Sequence, residues 1–274
     1  MRRAVLHVVV VLLQAVTALR LPSSAARVEA RLDRRTFASS AAAAAALSIL
    51  SPLSSATADG SKPKVVVFGG SGYVGSYASQ MLISEGFDVI SVSRTAASAA
   101  PDKVKAILGS SLTGVSYVQA DASSADLSAV LQGASAVISC VGIAPGGANM
   151  RDGNGLVNAK IADAAKAAGV NKFVYLGLAS ELASSPIKFV FGDYVKGKAE
   201  AEAAVAKDFG DGALVIKPGI IAGGPPGEVR PPGPPGMAPV DVKAVARAAV
   251  DGALGKRTGK IDGNAAITAA ASGS

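Results

Sequence analysis

The sequence predicts one α/β domain, a single parallel sheet doubly wound by helices on both faces. Three observations carry that expectation. Short β-branched runs alternate with helical stretches from Lys64 to about Leu254. The runs are apolar at consecutive positions, as strands buried on both faces must be. The first run opens into a glycine turn, Gly69-Gly70-Ser71-Gly72-Tyr73-Val74-Gly75, and a helix follows it.

Val65 to Phe68 form the first strand, and residues 74–85 read as a helix with Val74, Tyr77, Ala78, Met81 and Leu82 on one face. Strand, glycine turn and helix in that order are the context of dinucleotide binding. Gly69 permits the tight turn, Gly72 lets the backbone approach a pyrophosphate, and Gly75 lets the helix lie close to its strand. The free N–H groups at the start of that helix favour phosphate. The alternative is an ordinary strand-to-helix turn. The expected architecture is therefore a single Rossmann-type doubly wound parallel sheet.

Further strands are expected at 87–92, 115–119, 134–140, 172–176 and 213–216. Helices are expected at about 101–108, 125–131, 154–168, 195–207 and 242–254, the last taken as the final helix. Gly169 suits a helix C-cap. Residues 222–239 hold too many prolines and glycines for a helix or central strand and read as a loop. Residues 260–268 read as a short edge strand, and the last six residues as frayed.

Residues 1–58 read as a presequence, leaving residues 59–274 as the domain. Met1-Arg2-Arg3 and the apolar run after it resemble a secretory signal, with a signal anchor as the alternative. Residues 20–40 are rich in Arg, Ser and Ala, as transit peptides are. Arg34-Arg35, the alanine run from Ala41 and Ser55-Ala56-Thr57-Ala58 look like a twin-arginine signal. That order points to a plastid and to a thylakoid step. A plain alanine-rich helix, a mitochondrion or the secretory pathway are the alternatives.

The formal net charge is +7, but residues 1–58 hold seven arginines, no lysine and only two acids. The remaining +2 gives no reason to expect nucleic acid as a partner. Cys140 is the only cysteine and His7 the only histidine, which excludes an internal disulfide framework, a cysteine-cluster metal site and a His triad in residues 59–274. No metal is expected.

The second strand ends Ser91-Val92-Ser93-Arg94, without the acid that binds NAD ribose hydroxyls. Arg94 stands where a 2′-phosphate would lie, so NADP (NADPH) is expected over NAD; a solvated surface arginine is the alternative. Asp121 suits either an adenine contact or a helix cap. Val141-Gly142 after the fourth strand would let a cofactor ribose lie against the backbone. Tyr194 and Lys198 are four residues apart and share one helical face. An ammonium beside a phenol lowers its pKa, so the hydroxyl can trade a proton with a carbonyl or alcohol. The alternative is a surface pair.

Five segments together resemble the short-chain dehydrogenase/reductase superfamily: the glycine turn with its strand, Ala136-Val137-Ile138-Ser139-Cys140-Val141-Gly142, Gly169-Val170-Asn171-Lys172-Phe173-Val174-Tyr175-Leu176, Asp193-Tyr194-Val195-Lys196-Gly197-Lys198 and Ile216-Lys217-Pro218-Gly219. More narrowly they resemble its atypical NmrA-like branch, which includes an accessory subunit of respiratory complex I and a coenzyme Q biosynthesis protein. The resemblance implies Tyr194 as proton donor, Lys198 on the nicotinamide ribose, Asn158 in a water relay and Pro218-Gly219 near the nicotinamide amide. The family's catalytic serine usually follows the fifth strand closely. Gly177-Leu178-Ala179 offers none; Ser180, Ser184 and Ser185 come later and are the candidates to substitute, with Ser180 taken as the catalytic one. An NADPH-dependent oxidoreductase acting on a small-molecule carbonyl or quinone is therefore expected, with a peripheral membrane or complex association compatible with the branch. The alternatives are a non-catalytic NADPH-binding scaffold, an assembly factor and a redox sensor. Substrate contacts are expected from residues 178–193 and the proline loop.

Overall fold

A computed structural model describes residues 62–226 and 237–273. Residues 1–61, where the presequence is expected, residues 227–236 of the proline loop and Ser274 lie outside the described residues.

Seven strands form one sheet in the order β3-β2-β1-β4-β5-β6-β7, and every neighbouring pair is parallel. The strands are β1 Lys64–Phe68, β2 Asp88–Ser93, β3 Val115–Gln119, β4 Ala134–Ser139, β5 Lys172–Leu176, β6 Ala213–Lys217 and β7 Gly259–Asp262. The helices are α1 Tyr73–Ser84, α2 Ala100–Leu108, α3 Ser128–Leu131, α4 Met150–Asn154, α5 Leu156–Ala167, α6 Ser180–Ser184, α7 Ile187–Val190, α8 Gly192–Phe209, α9 Val242–Ala253 and α10 Asn264–Ser272. This is the doubly wound Rossmann-type sheet that the sequence predicts.

Side chains alternate across each strand. Val65 and Val67 of β1 and Val174 and Leu176 of β5 join a core with α1, α9 and α10. Val66 and Phe68, with Phe173 and Tyr175, face the opposite core against α5 and α8. Each fully buried valine or leucine contributes about 1.5–3 kcal/mol by leaving water. The strand order reverses between β1 and β4, so a crevice opens at their carboxyl ends, the usual ligand position in such sheets.

The structure shifts several expected boundaries. Pairing of Lys64 with Asp88 places β2 one residue later than expected. The expected helix 154–168 is divided at Gly155 into α4 and α5. A Cβ at Gly155 would stand 3.1 Å from the Gly197 Cα, so this break lets α8 approach. The helix expected at 125–131 is the four-residue α3, and Asp126 accepts from its first N–H, that of Ser128.

The C-terminal reading is corrected. The edge strand stops at Asp262, and Asn264–Ser272 is a helix, so α9 is not the last. The reason is packing: Ile267 is fully buried in the α1/α9 core, and the Arg257 guanidinium donates to the Ala270 carbonyl at 2.8 Å. Ile267→Ala should destabilise the protein by about 2–5 kcal/mol in denaturant unfolding, as buried aliphatic truncations do. A frayed tail would give no change.

Candidate functional site

The glycine turn is built by close backbone approaches. Gly69 adopts φ +75°, and its N–H donates to the Val92 carbonyl at 2.7 Å. A Cβ at Gly75 would stand 2.3 Å from the Gly69 carbonyl oxygen and 2.7 Å from the Gly70 Cα, both backbone atoms. Gly72 is the N-cap of α1 in extended conformation, and no side chain caps that end. A helix N-terminus without a side-chain cap favours an anion, and the residues present fit a dinucleotide pyrophosphate.

Around this turn lies a group of hydroxyls that the sequence reading did not single out. The buried Ser71 Oγ lies 2.9 Å from Ser93 Oγ and 3.3 Å from Thr95 Oγ1. Lys103 of α2 donates to Thr95 Oγ1 at 3.3 Å. Arg94 is exposed beside them. Ser-x-Ser-Arg-Thr at a strand end was the available signal. Asp121 closes a tight turn, one carboxylate oxygen accepting from the Ser123 N–H at 2.9 Å and the Ser123 hydroxyl at 2.6 Å. Those bonds hold its carboxyl below the ordinary range. The helix-capping alternative for Asp121 therefore falls to Asp126.

The glycine turn touches the end of β4. A Cβ at Gly69 would stand 3.1 Å from the Cys140 carbonyl and 3.3 Å from the Val141 nitrogen. Asn158 is fully buried; its amide oxygen accepts from Ser139 at 2.6 Å, and its amide nitrogen donates to the Asn154 carbonyl at 2.8 Å and the Val141 carbonyl at 3.2 Å. Asn154, also missed in sequence, clamps both backbone groups of Ile143. The two asparagines fix the Val141–Ile143 segment. At Gly142 a Cβ would stand 2.8 Å from Asn154 Oδ1 and 3.3 Å from Lys198 Nζ.

Lys198 closes this sequence of contacts. It is 8% exposed, and its ammonium donates to the Leu176 carbonyl at the end of β5 at 2.8 Å. The ammonium lies 5.3 Å from the Tyr175 ring centre and 6.0 Å from that of Tyr194. Burial lowers its pKa from an ordinary 10.5 to about 8. Burial also pushes the neighbouring Cys140 thiol up to about 12, with the Lys198 charge opposing it. The helix bearing Tyr194 and Lys198 is pressed on α4: a Cβ at Gly197 would stand 2.4 Å from the Arg151 carbonyl oxygen.

The structure thus links the glycine turn, Val141-Gly142 and the Tyr194–Lys198 face along the carboxyl edge. Tyr73 ties the start of the proline loop to the same edge, its hydroxyl donating to the Ala222 carbonyl at 3.0 Å. Pro218 accepts from the Ala179 N–H at 3.0 Å, and the Gly219 N–H donates to Asn264 at 2.8 Å. Ser180 is engaged elsewhere, donating to Asp262 and accepting from Lys217 at 2.9 Å. Among the described residues no cluster of three or more His, Cys, Asp or Glu could hold a metal, and no helix is long and apolar enough to cross a membrane.

The model of a protein family described as NAD(P)H-binding matches residues 69–254. The chain belongs to this NAD(P)H-binding family. Among curated proteins it is 34% identical over 166 residues to the uncharacterized protein At1g32220, chloroplastic, of Arabidopsis thaliana. That match takes in 61% of this chain and 53% of the relative, so the chain spans about half the relative's length. Among solved structures, Bordetella bronchiseptica WbmH in complex with NAD+ superposes with a TM-score of 0.57 at 18% identity, over 74% of this chain and 76% of that one. The oxidoreductase ylbE of Lactococcus lactis superposes with a TM-score of 0.50 at 20% identity, over 67% and 81%. These likenesses show the shared fold of the NAD(P)H-binding chain.

Two predictions follow from the geometry. Gly75→Ala places a methyl group against fixed backbone and should abolish nucleotide binding in calorimetry, whereas a turn with slack would tolerate it. With its pKa depressed, Lys198 makes its most favourable contribution to stability above pH 10.5, and that contribution is lost as pH falls from there through about 8. Unfolding of a Lys198→Met variant, compared with its parent, should show the variant's relative stability rising by up to about 3 kcal/mol as pH falls across that window. A difference that does not vary with pH would contradict the buried-cation account.

Proposed function

We propose that this protein is an NADPH-dependent reductase of a carbonyl or quinone-type small molecule. The observation that supports it most is the placement of Lys198. A buried ammonium stands between the Leu176 carbonyl and the bare Gly142 backbone, one helical turn from Tyr194. In this role Lys198 holds the nicotinamide ribose and favours the ionised phenol, and Tyr194 gives its proton to the substrate oxygen. Bound NADPH supplies the hydride. Preference for the 2′-phosphate is supported by Arg94 and Lys103, which flank the Ser71, Ser93 and Thr95 hydroxyls with no acid between Ser91 and Thr95.

A plastid location is supported by the composition of residues 1–58 and by the chloroplastic name of the Arabidopsis relative. On this reading residues 59–274 are the working domain. One observation favours the second reading, a cofactor-binding scaffold or redox sensor without turnover. The Ser180 hydroxyl donates its hydrogen bond to Asp262, so it has none to offer a substrate carbonyl while that bond holds.

Purified protein tested with NADPH across quinones and aldehydes separates the two. The reductase reading expects turnover that falls about 10²–10⁴-fold in Tyr194→Phe while NADPH affinity is kept. Turnover unchanged in Tyr194→Phe would remove the catalytic assignment; no turnover with tight NADPH binding favours the scaffold. NADPH should bind more tightly than NADH, and Arg94→Ala should narrow that gap by about 1–3 kcal/mol, as for a charge-assisted hydrogen bond. Equal calorimetric affinities of the parent for both cofactors would contradict the NADP preference.

A further inference from the structure

Lys217 is the last residue of β6 and is buried, 8% exposed, at the carboxyl edge of the sheet. Its ammonium meets Glu202 at 3.1 Å, Asp262 at 3.7 Å and the Ser180 hydroxyl at 2.9 Å. The partners are cross-linked in turn. The Ser180 backbone N–H donates to Asp262 at 2.9 Å, its hydroxyl donates to the same carboxylate, and Lys260 pairs with Glu202. Burial alone would raise the Asp262 pKa, but the Ser180 bonds and the Lys217 charge outweigh it and hold the carboxylate ionised below its ordinary range.

The segments joined here are those assigned to one end of the cofactor. Pro218-Gly219 follows Lys217 directly. Ser180 ends the segment leaving β5, and the adjacent Ala179 N–H donates to Pro218. Glu202 lies one helical turn beyond Lys198 and two beyond Tyr194, on the same face of α8. Asp262 precedes Gly263, whose N–H donates to the Lys217 carbonyl, and Asn264, which holds the Gly219 N–H. None of these partners belongs to the group around Ser71, Ser93, Thr95 and Lys103 at the other end.

We propose that Lys217, through Glu202, Asp262 and Ser180, is a positioning residue for the nicotinamide half of the cofactor site. This rests on the nucleotide reading above. A buried cation with two carboxylates and a hydroxyl specifies one arrangement of the four segments, because the Lys217 ammonium without those partners would be a buried unpaired charge. An apolar side chain at the end of β6 would pack there but would not tie β6 to Glu202 of α8, to Asp262 and to the Ser180 hydroxyl. The adenine half lacks these ties and is independent of them.

Calorimetry with two ligands tests this on the full chain: NADPH, and its nicotinamide-free fragment 2′-phospho-ADP-ribose. NADH and ADP-ribose serve as a parallel pair. Lys217→Met should weaken the whole cofactor about ten-fold and leave the fragment unchanged, a loss confined to one half of the ligand. Lys217→Arg keeps the charge and should restore most of the difference. Equal losses for both ligands, or none, would overturn the proposal. Should Lys217→Met fail to fold, Ser180→Ala removes a single hydroxyl, and its expected result is a smaller loss for the whole cofactor alone. An unchanged cofactor affinity in Ser180→Ala would then overturn it. Failure of the unmutated protein to bind any of the four ligands would remove the nucleotide reading and this proposal together. Intact binding without a half-site difference would remove this proposal only.

Discussion

A charged lysine taken out of water needs compensation, and Lys198 shows how this site supplies it. Burial draws its pKa to about 8, so it is still mostly protonated near neutral pH. Its compensation comes from the Leu176 carbonyl and from the faces of Tyr175 and Tyr194. The strand that ends at Leu176, the helix that carries Tyr194 and the bare Gly142 backbone are all arranged around that one group. The crevice between β1 and β4 gives the arrangement its use, because the glycine turn and the ammonium then line the same edge.

The sheet was largely legible in the sequence. Consecutive β-branched residues such as Val65 to Val67 can be buried on two faces only in a parallel sheet covered by helices, and the structure has them so. The glycines were legible for a related reason. Gly69 and Gly75 stand where a Cβ would meet backbone, so the residue type records the geometry. The Tyr194–Lys198 spacing was readable because α8 is long and regular, and helical periodicity then fixes which residues share a face.

Other parts depend on contacts between separate elements, and the pattern within one element does not record which residue of another it meets. Lys103 reaches Thr95 from the next helix, and Asn154 clamps a loop eleven residues earlier. The Lys217 group draws on β6, β7, α8 and the Ser180 segment. Resemblance to a family pointed to Ser180 as a hydroxyl near the chemistry, but only the structure shows it donating to Asp262. The C-terminal helix escapes the strand expectation although its alanines, the best helix formers, already favour it. What orders it is Ile267, whose burial needs the α1 and α9 surfaces to be in place first.

The central claim is that one cofactor spans the edge from the glycine turn to Lys198. Hydrogen exchange measured with and without NADPH tests it most directly. The account predicts that slowing appears together in three segments: the glycine turn at 69–76, the backbone around Val141-Gly142, and the first turns of α8 through Lys198. Slowing confined to the glycine turn, with α8 unaffected at saturating NADPH, would contradict it.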